Sequence, residues 1–546
     1  MVILGAAVCL FFVSKLRAAE YAVQIGAFKD PQYAADLAKT AGSLGFQTLP
    51  FLPQPLPGEL VKVLSGPYRN PAEAEAARRG LAAKGINGFV RPIPESTGTR
   101  AVVAEAAPEA VLHADAAPRM DPTAAGQSPD TAVSSDAPNP PARPFRFSGY
   151  LQSDTAYTFA GPDHWSHFRH TAEVALEKQL ADQINFKISG RFFYDAIYDV
   201  TTYFPDRVKS DARFDAMFRE TYLNVGAGDW DFRFGRQQII WGEVVGLFFG
   251  DVVSARELRD YLIPDLDYIR IPQWAARAEY FKNDFHAEAI WIPYMTYDRI
   301  GKFGSDFFPI TRPPAGFAMN IRSERTPHAG LSDSAGGVRA GYLLNGWDLA
   351  AFYYNSMDAA PTFFREVINA PVPTVVYTPD HDRIQQAGST VSKDFGPFVL
   401  RGEAVYTWGR WFNVKDLSDR NGVVRQDFLD YIISGDIPLP SESRLNLQFF
   451  QRWFPHHDPN IIQRRVETGA SLFASTKLLD GKIEPDLQLI HSLNRLDWMI
   501  RPRISWRFHP DWRLRVGTAV FGGDKDGLFG RFGNRDRAFV ELRYAF

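Results

Sequence analysis

The sequence predicts a mainly β protein: an antiparallel transmembrane β-barrel of about 18 strands over residues 145–546, preceded by a small α+β domain. Three observations carry the barrel. From Phe145 onward, segment after segment alternates apolar and polar residues with period two, which puts one set of side chains on each face of a strand. The connections alternate between tight turns and mostly long loops, the asymmetry of barrels that cross a bilayer. The chain also stops on such a segment, RAFVELRYAF. Ala538, Val540, Leu542, Tyr544 and Phe546 share one face, and Arg537, Glu541, Arg543 and Ala545 lie on the other. In lipid every backbone group needs a partner, so an antiparallel sheet has to close and its last strand has to bond to its first. A terminal apolar-out strand suits that seam.

The first run, MVILGAAVCLFFVSKLRAAE, has an apolar core from Val2 to Val13 and small residues at Ala18 and Ala19. It is short for a membrane helix and suits a secretory signal peptide over residues 1–19, with an uncleaved anchor as the alternative. The only cysteine, Cys9, falls inside this run, so an exported mature chain has no thiol nucleophile, disulfide or cysteine metal ligand. A formal charge of −3 gives no global attraction for nucleic acid, which is not expected as a partner.

Residues 20–95 read as one domain, self-similar between Tyr21 and Ile93. Val23, Gly26, Phe28, Pro31, Ala34 and Gly45 recur as Val63, Gly66, Tyr68, Pro71, Ala74 and Gly85. Each copy reads as a strand, a Gly turn, a helix begun by Pro and a Gly before the next strand, so two copies predict one four-stranded α+β unit. YAVQIGAF and VKVLSGPYRNPAEAEAA resemble the SPOR (sporulation-related repeat) domain, whose fold is ferredoxin-like. The resemblance implies peptidoglycan glycan strands as a partner. It places Gln24 at a sheet-face contact and Lys62 where the family often has a basic residue, with Phe28, Tyr68 and Arg91 completing the candidate surface. The chain departs from the pattern at Ala27, where serine is common, and at Leu60, where an aromatic is common.

Residues 96–144 thin to Ala, Pro, Asp and Ser and cannot bury enough surface to offset chain entropy. They read as a disordered linker with an end-to-end reach on the order of 35–40 Å.

Clear strand segments in the barrel region include Phe145–Phe159, Phe168–Leu176, Ile184–Tyr194, Trp274–Phe281, Phe285–Tyr294, Leu429–Leu439, Leu445–Trp453 and Trp498–Phe508. LADQ, GAGD, KND, NG, FGP, PSE, LDGK and HPD read as tight turns, whereas 243–273, 296–334 and 358–382 read as long loops. Trp230, Trp274, Trp408, Trp453, Trp498 and Trp512 lie near segment ends, as in an interfacial girdle against outer-membrane lipids. Tyr544 and Phe546 resemble the C-terminal signal by which outer-membrane barrels reach the barrel assembly machinery. The stretch 235–274 resembles a segment of an uncharacterised family of proteobacterial outer-membrane proteins, and the whole region is porin-like.

If the apolar sides face lipid, Arg444, Arg452, Arg501, Arg503, Arg507, Arg513, Arg515, Arg537 and Arg543 face the lumen. They form a basic wall relieved by Glu467, Glu484, Asp486 and Glu541, either to steer anions or simply to pair with lumenal carboxylates. The loop 243–273 carries Arg256, Arg259, Asp265, Asp267 and Arg270, together with the apolar run VVGLFF, and is expected to fold inward as a constriction.

No catalytic motif, phosphate loop, metal site or cofactor site stands out. His164, His167 and His170 are three apart, which on a regular strand puts neighbours on opposite faces. DKDG at Asp524–Gly527 lacks the later carboxylate of a calcium loop. The expected function is a non-enzymatic, porin-like channel for small polar or anionic solutes, held to the cell wall. The alternatives are a plugged barrel that only anchors the envelope, a polysaccharide exporter or an outer-membrane hydrolase.

Overall fold

The structure is a computed structural model. It describes residues 145–546 except 245, 247–249, 311–313, 328–329 and 370, and before them residues 21–28, 31–44, 46–48, 61–68, 89–92 and a few positions between 73 and 84. The expected signal peptide and linker lie outside the described residues.

In the N-terminal unit Tyr21–Phe28 is the central strand, flanked by Val61–Tyr68 and Phe89–Pro92, all antiparallel. The expected fourth strand is represented among the described residues by a bridge between Thr48 and Ser65. The helix Pro31–Ser43 buries Ala41 against Val23, Ile25 and Val63, so alternate residues of the central strand make the core.

The second unit is a closed antiparallel barrel in which 18 strands pair in the order of the sequence. They are Arg146–Thr158, His164–Ala181, Ile184–Asp195, Phe214–Ala227, Trp230–Gln237, Gln273–Lys282, Phe285–Tyr294, Ala335–Leu344, Trp347–Met357, Arg383–Asp394, Val399–Asn413, Val423–Leu439, Ser443–Trp453, Val466–Ser475, Ile483–Ser492, Asp497–His509, Trp512–Gly523 and Arg537–Ala545. Burial is inverted relative to a water-soluble sheet. On the last strand Val540 is 48% exposed and Leu542 36%, while Arg537 is 2% exposed and Glu541 9%. The apolar set faces outward and the charged set inward, as crossing a bilayer requires.

All eight expected turns join strands at one end, hereafter the turn end; the long loops lie at the other, the loop end. The NG turn places Asn345 at φ 51° and Gly346 at φ 78°, the left-handed pair that two-residue hairpins demand. Several strands run further towards the loop end than the alternation suggested. Val423–Leu439 has 17 residues, against the roughly 10 needed to cross hydrocarbon, because above the lipid the outer face no longer has to be apolar. The loops also contain strands that the sequence reading treated as irregular: Ala318–Ile321, Thr374–Asp380 and Thr362–Ile368 form a three-stranded sheet of their own.

The seam forms between the last and first strands, from Arg537 opposite Thr158 to Ala545 opposite Tyr150. Beyond it Phe546 and Gly149 exchange backbone hydrogen bonds of 3.0 and 2.9 Å, and the Phe546 ring stacks on Phe147 at 5.4 Å. A Cβ on Gly149 would lie 2.3 Å from the Glu173 carbonyl oxygen and 2.9 Å from the Phe546 ring. Gly149→Val is therefore expected to prevent closure, read as loss of the compact, heat-modifiable band on gels; a normal band would show that the seam tolerates the side chain.

Candidate functional site

The long connection between Gln237 and Gln273, which stand opposite each other at the tops of adjacent strands, does not leave the barrel but enters it. Its first part is apolar and packs inside the wall. Ile239 and Trp241 are fully buried with Ile290, Ile292, Phe352 and Tyr354, and the Trp241 indole N–H donates to Glu288 at 3.0 Å. The chain then turns around one carboxylate. Glu403 accepts the backbone N–H groups of Glu243, Val244 and Gly250 at 2.5, 2.6 and 2.6 Å. Gly250 is required there, since a Cβ would come within 2.7 Å of the same carboxylate. Much of the VVGLFF run, residues 245 and 247–249, lies outside the described residues.

The returning part is polar. Ala255–Arg256 pairs with Arg270–Ile271, and a buried Arg270–Asp251 ion pair of 2.7 Å closes this short hairpin. Arg259 forks between Glu257 at 2.7 Å and Asp215 at 2.8 Å. Asp260 receives Arg169 at 2.7 Å and Arg537 at 2.9 Å. Asp265 bridges Arg503 and Arg515, both at 2.7 Å, and the Leu262 and Ile263 carbonyls accept from Arg501. The Tyr268 carbonyl accepts from Arg191 at 3.3 Å and the Arg270 carbonyl from Arg219 at 2.6 Å. Glu403 stands on the eleventh strand and Arg169 on the second, opposite walls of an 18-strand ring, so the loop spans the lumen.

Burial alone would raise the Asp260 carboxyl, but the guanidinium of Arg169, with His167 and Arg537, holds it well below the usual carboxylate range. Asp265 is likewise held down against desolvation by Arg515 and Arg503. Asp298, buried in the next loop with its carboxylate on the Arg256 N–H at 2.8 Å, is pushed up to about 6 by desolvation. That next loop adds Asp306, which takes His164 at 2.9 Å and Arg537 at 3.2 Å.

The arginines expected in the lumen are there, but most are engaged. Arg444 and Arg452 pair with Asp436 and Asp430, Arg513 with Glu541, and Arg503 with Asp486 as well as the loop. Arg543 takes the uncharged Gln152, and Arg507 has no carboxylate partner among the described residues. Of the loop residues expected to matter, Arg256, Arg259, Asp265 and Arg270 lie within this network, while the Asp267 side chain is outside the described residues.

The histidines depart from the expected alternation. The pairing of the first two strands is irregular between Ala156 and Tyr157, and the extra residue turns both His164 and His167 inward despite their spacing; His170 remains exposed. They meet Asp306, Asp154 and Asp260. Among the described residues one group of three, Glu279, His286 and Glu288, could gather donors around an ion. Arg277, at 2.7 Å from Glu279 and 3.0 Å from Glu288, already pairs with both carboxylates.

Sequence reasoning missed Arg169, Glu403, Glu288 and Asp306. For the first three the signal was a charge at a lumen-facing strand position, which marks the wall but not the loop it meets; Asp306 lies in a loop, where no alternation marks it.

In the N-terminal unit Gln24 pairs with Leu64 and Phe89, Phe28 with Val61, Lys62 with Ala27 and Arg91 with Ala22. The side chains of Gln24, Phe28, Lys62 and Arg91 are outside the described residues. Tyr68 packs on the core, its hydroxyl 2.9 Å from the Ser65 hydroxyl.

No curated protein matches the chain significantly. Among solved structures it is similar to OccAB1 of Acinetobacter baumannii (10% identity, TM-score 0.46, covering 74% of this chain and 96% of that one). It is also similar to OpdK of Pseudomonas aeruginosa with vanillate (8%, 0.42, 74% and 98%) and to OmpF of Salmonella typhi in complex with daunomycin (11%, 0.37, 74% and 97%). A SPOR domain matches residues 18–92, in line with the repeat and with the three antiparallel strands described there. Residues 124–546, covering the whole barrel and its inward loop, match a single family model, so the chain belongs to the family described as "Protein of unknown function (DUF1302)".

Proposed function

We propose that this protein is a porin-like channel of the outer membrane, narrowed by the loop 238–272 and tethered to peptidoglycan through its SPOR domain. The observation that carries the channel reading is the closed ring of 18 strands with an inverted face pattern and a charged lumen. A ring of that size leaves an aqueous interior unless something folds into it, and here the loop does so beside arginines from several strands. Small polar or anionic solutes suit such a passage. The turn end, where Arg146 enters the barrel after the N-terminal unit, faces the periplasm in this reading, which leaves the SPOR domain on the side of the wall.

A second reading, an envelope anchor with a closed lumen, is favoured by the number of contacts holding the loop. Planar-bilayer recording separates the two: discrete conductance steps from the purified full chain are expected, and their absence would leave the anchor. The tether is tested with sacculi. The full chain in detergent should sediment with amidase-treated sacculi, and a variant lacking residues 20–95 should not; equal recovery of both would remove wall binding.

A further inference from the structure

At the turn end of the lumen four cationic residues stand in one row across adjacent strands. The Arg507 backbone N–H donates to the Lys482 carbonyl at 2.7 Å, which sets these two side by side. Arg513 faces the irregular step between Trp506 and His509 that contains Arg507, and directly opposes Arg543 on the last strand. Their neighbours Trp506, Phe508 and Leu542 are exposed on the lipid face, so by alternation the arginines point inward. Like charges directly opposite one another destabilise a sheet, and this row repeats that arrangement on successive strands.

Carboxylates do not balance the row. Glu541 serves Arg513 at 2.9 Å and lies 3.7 Å from Arg515. Arg543 is held by the neutral Gln152 carbonyl at 2.8 Å and lies 4.1 Å above the Tyr150 ring. Lys482 and Arg507 have no ion-pair partner among the described residues, and the buried Arg513 Nε has no acceptor. Of the other acids nearby, Asp486 is on Arg503, Asp511 is in the turn at 3.5 Å from His509, Glu484 lies one step further in, opposite Ser505, and Asp480, exposed in the turn that carries Lys482, makes no ion pair among the described residues.

We infer that Lys482, Arg507, Arg513 and Arg543 form a binding site for small multivalent oxyanions at the turn mouth of the barrel. Adjacent strands are about 4.8 Å apart, so two neighbouring guanidinium forks can share one phosphate or span the two carboxylates of a short diacid. The site deepens the channel reading and rests on it for its role, concentrating such anions at the mouth, but its occupancy can be measured without conduction.

The test is calorimetric titration of the full chain in detergent micelles with pyrophosphate, and in a second arm with succinate, at low salt. One saturable site is expected, at least tenfold weaker in the double variant Arg507→Gln, Arg543→Gln and unchanged in Lys415→Gln at the loop end. Pyrophosphate binding without succinate binding would restrict the site to phosphates; both would make it a general oxyanion site. The variants must keep the heat-modifiable band of the folded barrel. Absent binding, or equal binding in the double variant, overturns the site. Intact binding in a protein that never conducts would sink the channel reading and leave the site standing.

Discussion

Deleting residues 245–270 is expected to raise single-channel conductance severalfold. The segment crosses the lumen from Glu403 on one wall to Arg169 and Arg537 on the other, so removing it opens the cross-section that an 18-strand ring would otherwise leave to water. It also carries away Asp251, Glu257, Asp260, Asp265 and Asp267 but only three arginines. Arg169, Arg191, Arg219, Arg501, Arg503, Arg515 and Arg537 then lose their loop acceptors and face solvent, so the reversal potential in a salt gradient should shift towards anions. Unchanged conductance would mean that the loop is not the constriction, and an unchanged reversal potential would mean that the exposed arginines do not govern selectivity.

The second large effect is expected from Asp260→Asn. Asp260 is buried and bridges two guanidinium groups that are themselves buried, so the amide removes the carboxylate they share and leaves Arg169 only Asp195 at 3.4 Å and Arg537 only Asp306 at 3.2 Å. Breaking a buried pair in this way costs about 3–5 kcal/mol, visible as a lower unfolding temperature in detergent. Asp265→Asn should cost less, because its side chain is 37% exposed to the lumen and water screens Arg503 and Arg515 in its place. The pH dependence has a definite sign. A carboxyl held below its unfolded value stabilises fully above that value, about 3.9, and the contribution is lost as pH falls through the depressed folded value. Stability of the parent should therefore fall below about pH 4, and the Asn variant should lack that part of the acid limb. An Asp260→Asn protein as stable as the parent, with the same acid profile, would show that the clamp contributes nothing.

Much of this molecule could be read from local pattern. Period-two alternation, the NG and KND turns and the apolar-out terminal strand each depend on residues close in sequence, and each appears in the barrel as expected. The Gly and Pro punctuation around residues 20–95 likewise reflects local backbone demands. Strand ends were legible only where lipid enforces alternation, which is why Val423 to Phe428 escaped notice.

What the sequence by itself determined was therefore the closed sheet, its inside and outside, and the presence of charge in the lumen. Only the tertiary structure decided where that charge goes. Asp260 and Arg537 are 277 residues apart and Glu403 meets Gly250 across 153. No local rule assigns such partners, because a lumenal arginine satisfies its alternation equally well facing water, a neighbouring carboxylate or an incoming loop. The choice among these depends on which groups ring closure brings within about 3 Å of each other. The bulge that turns both His164 and His167 inward has the same origin: one extra residue between two pairing strands inverts every face beyond it, and that register is set by the partner strand rather than by the histidines themselves.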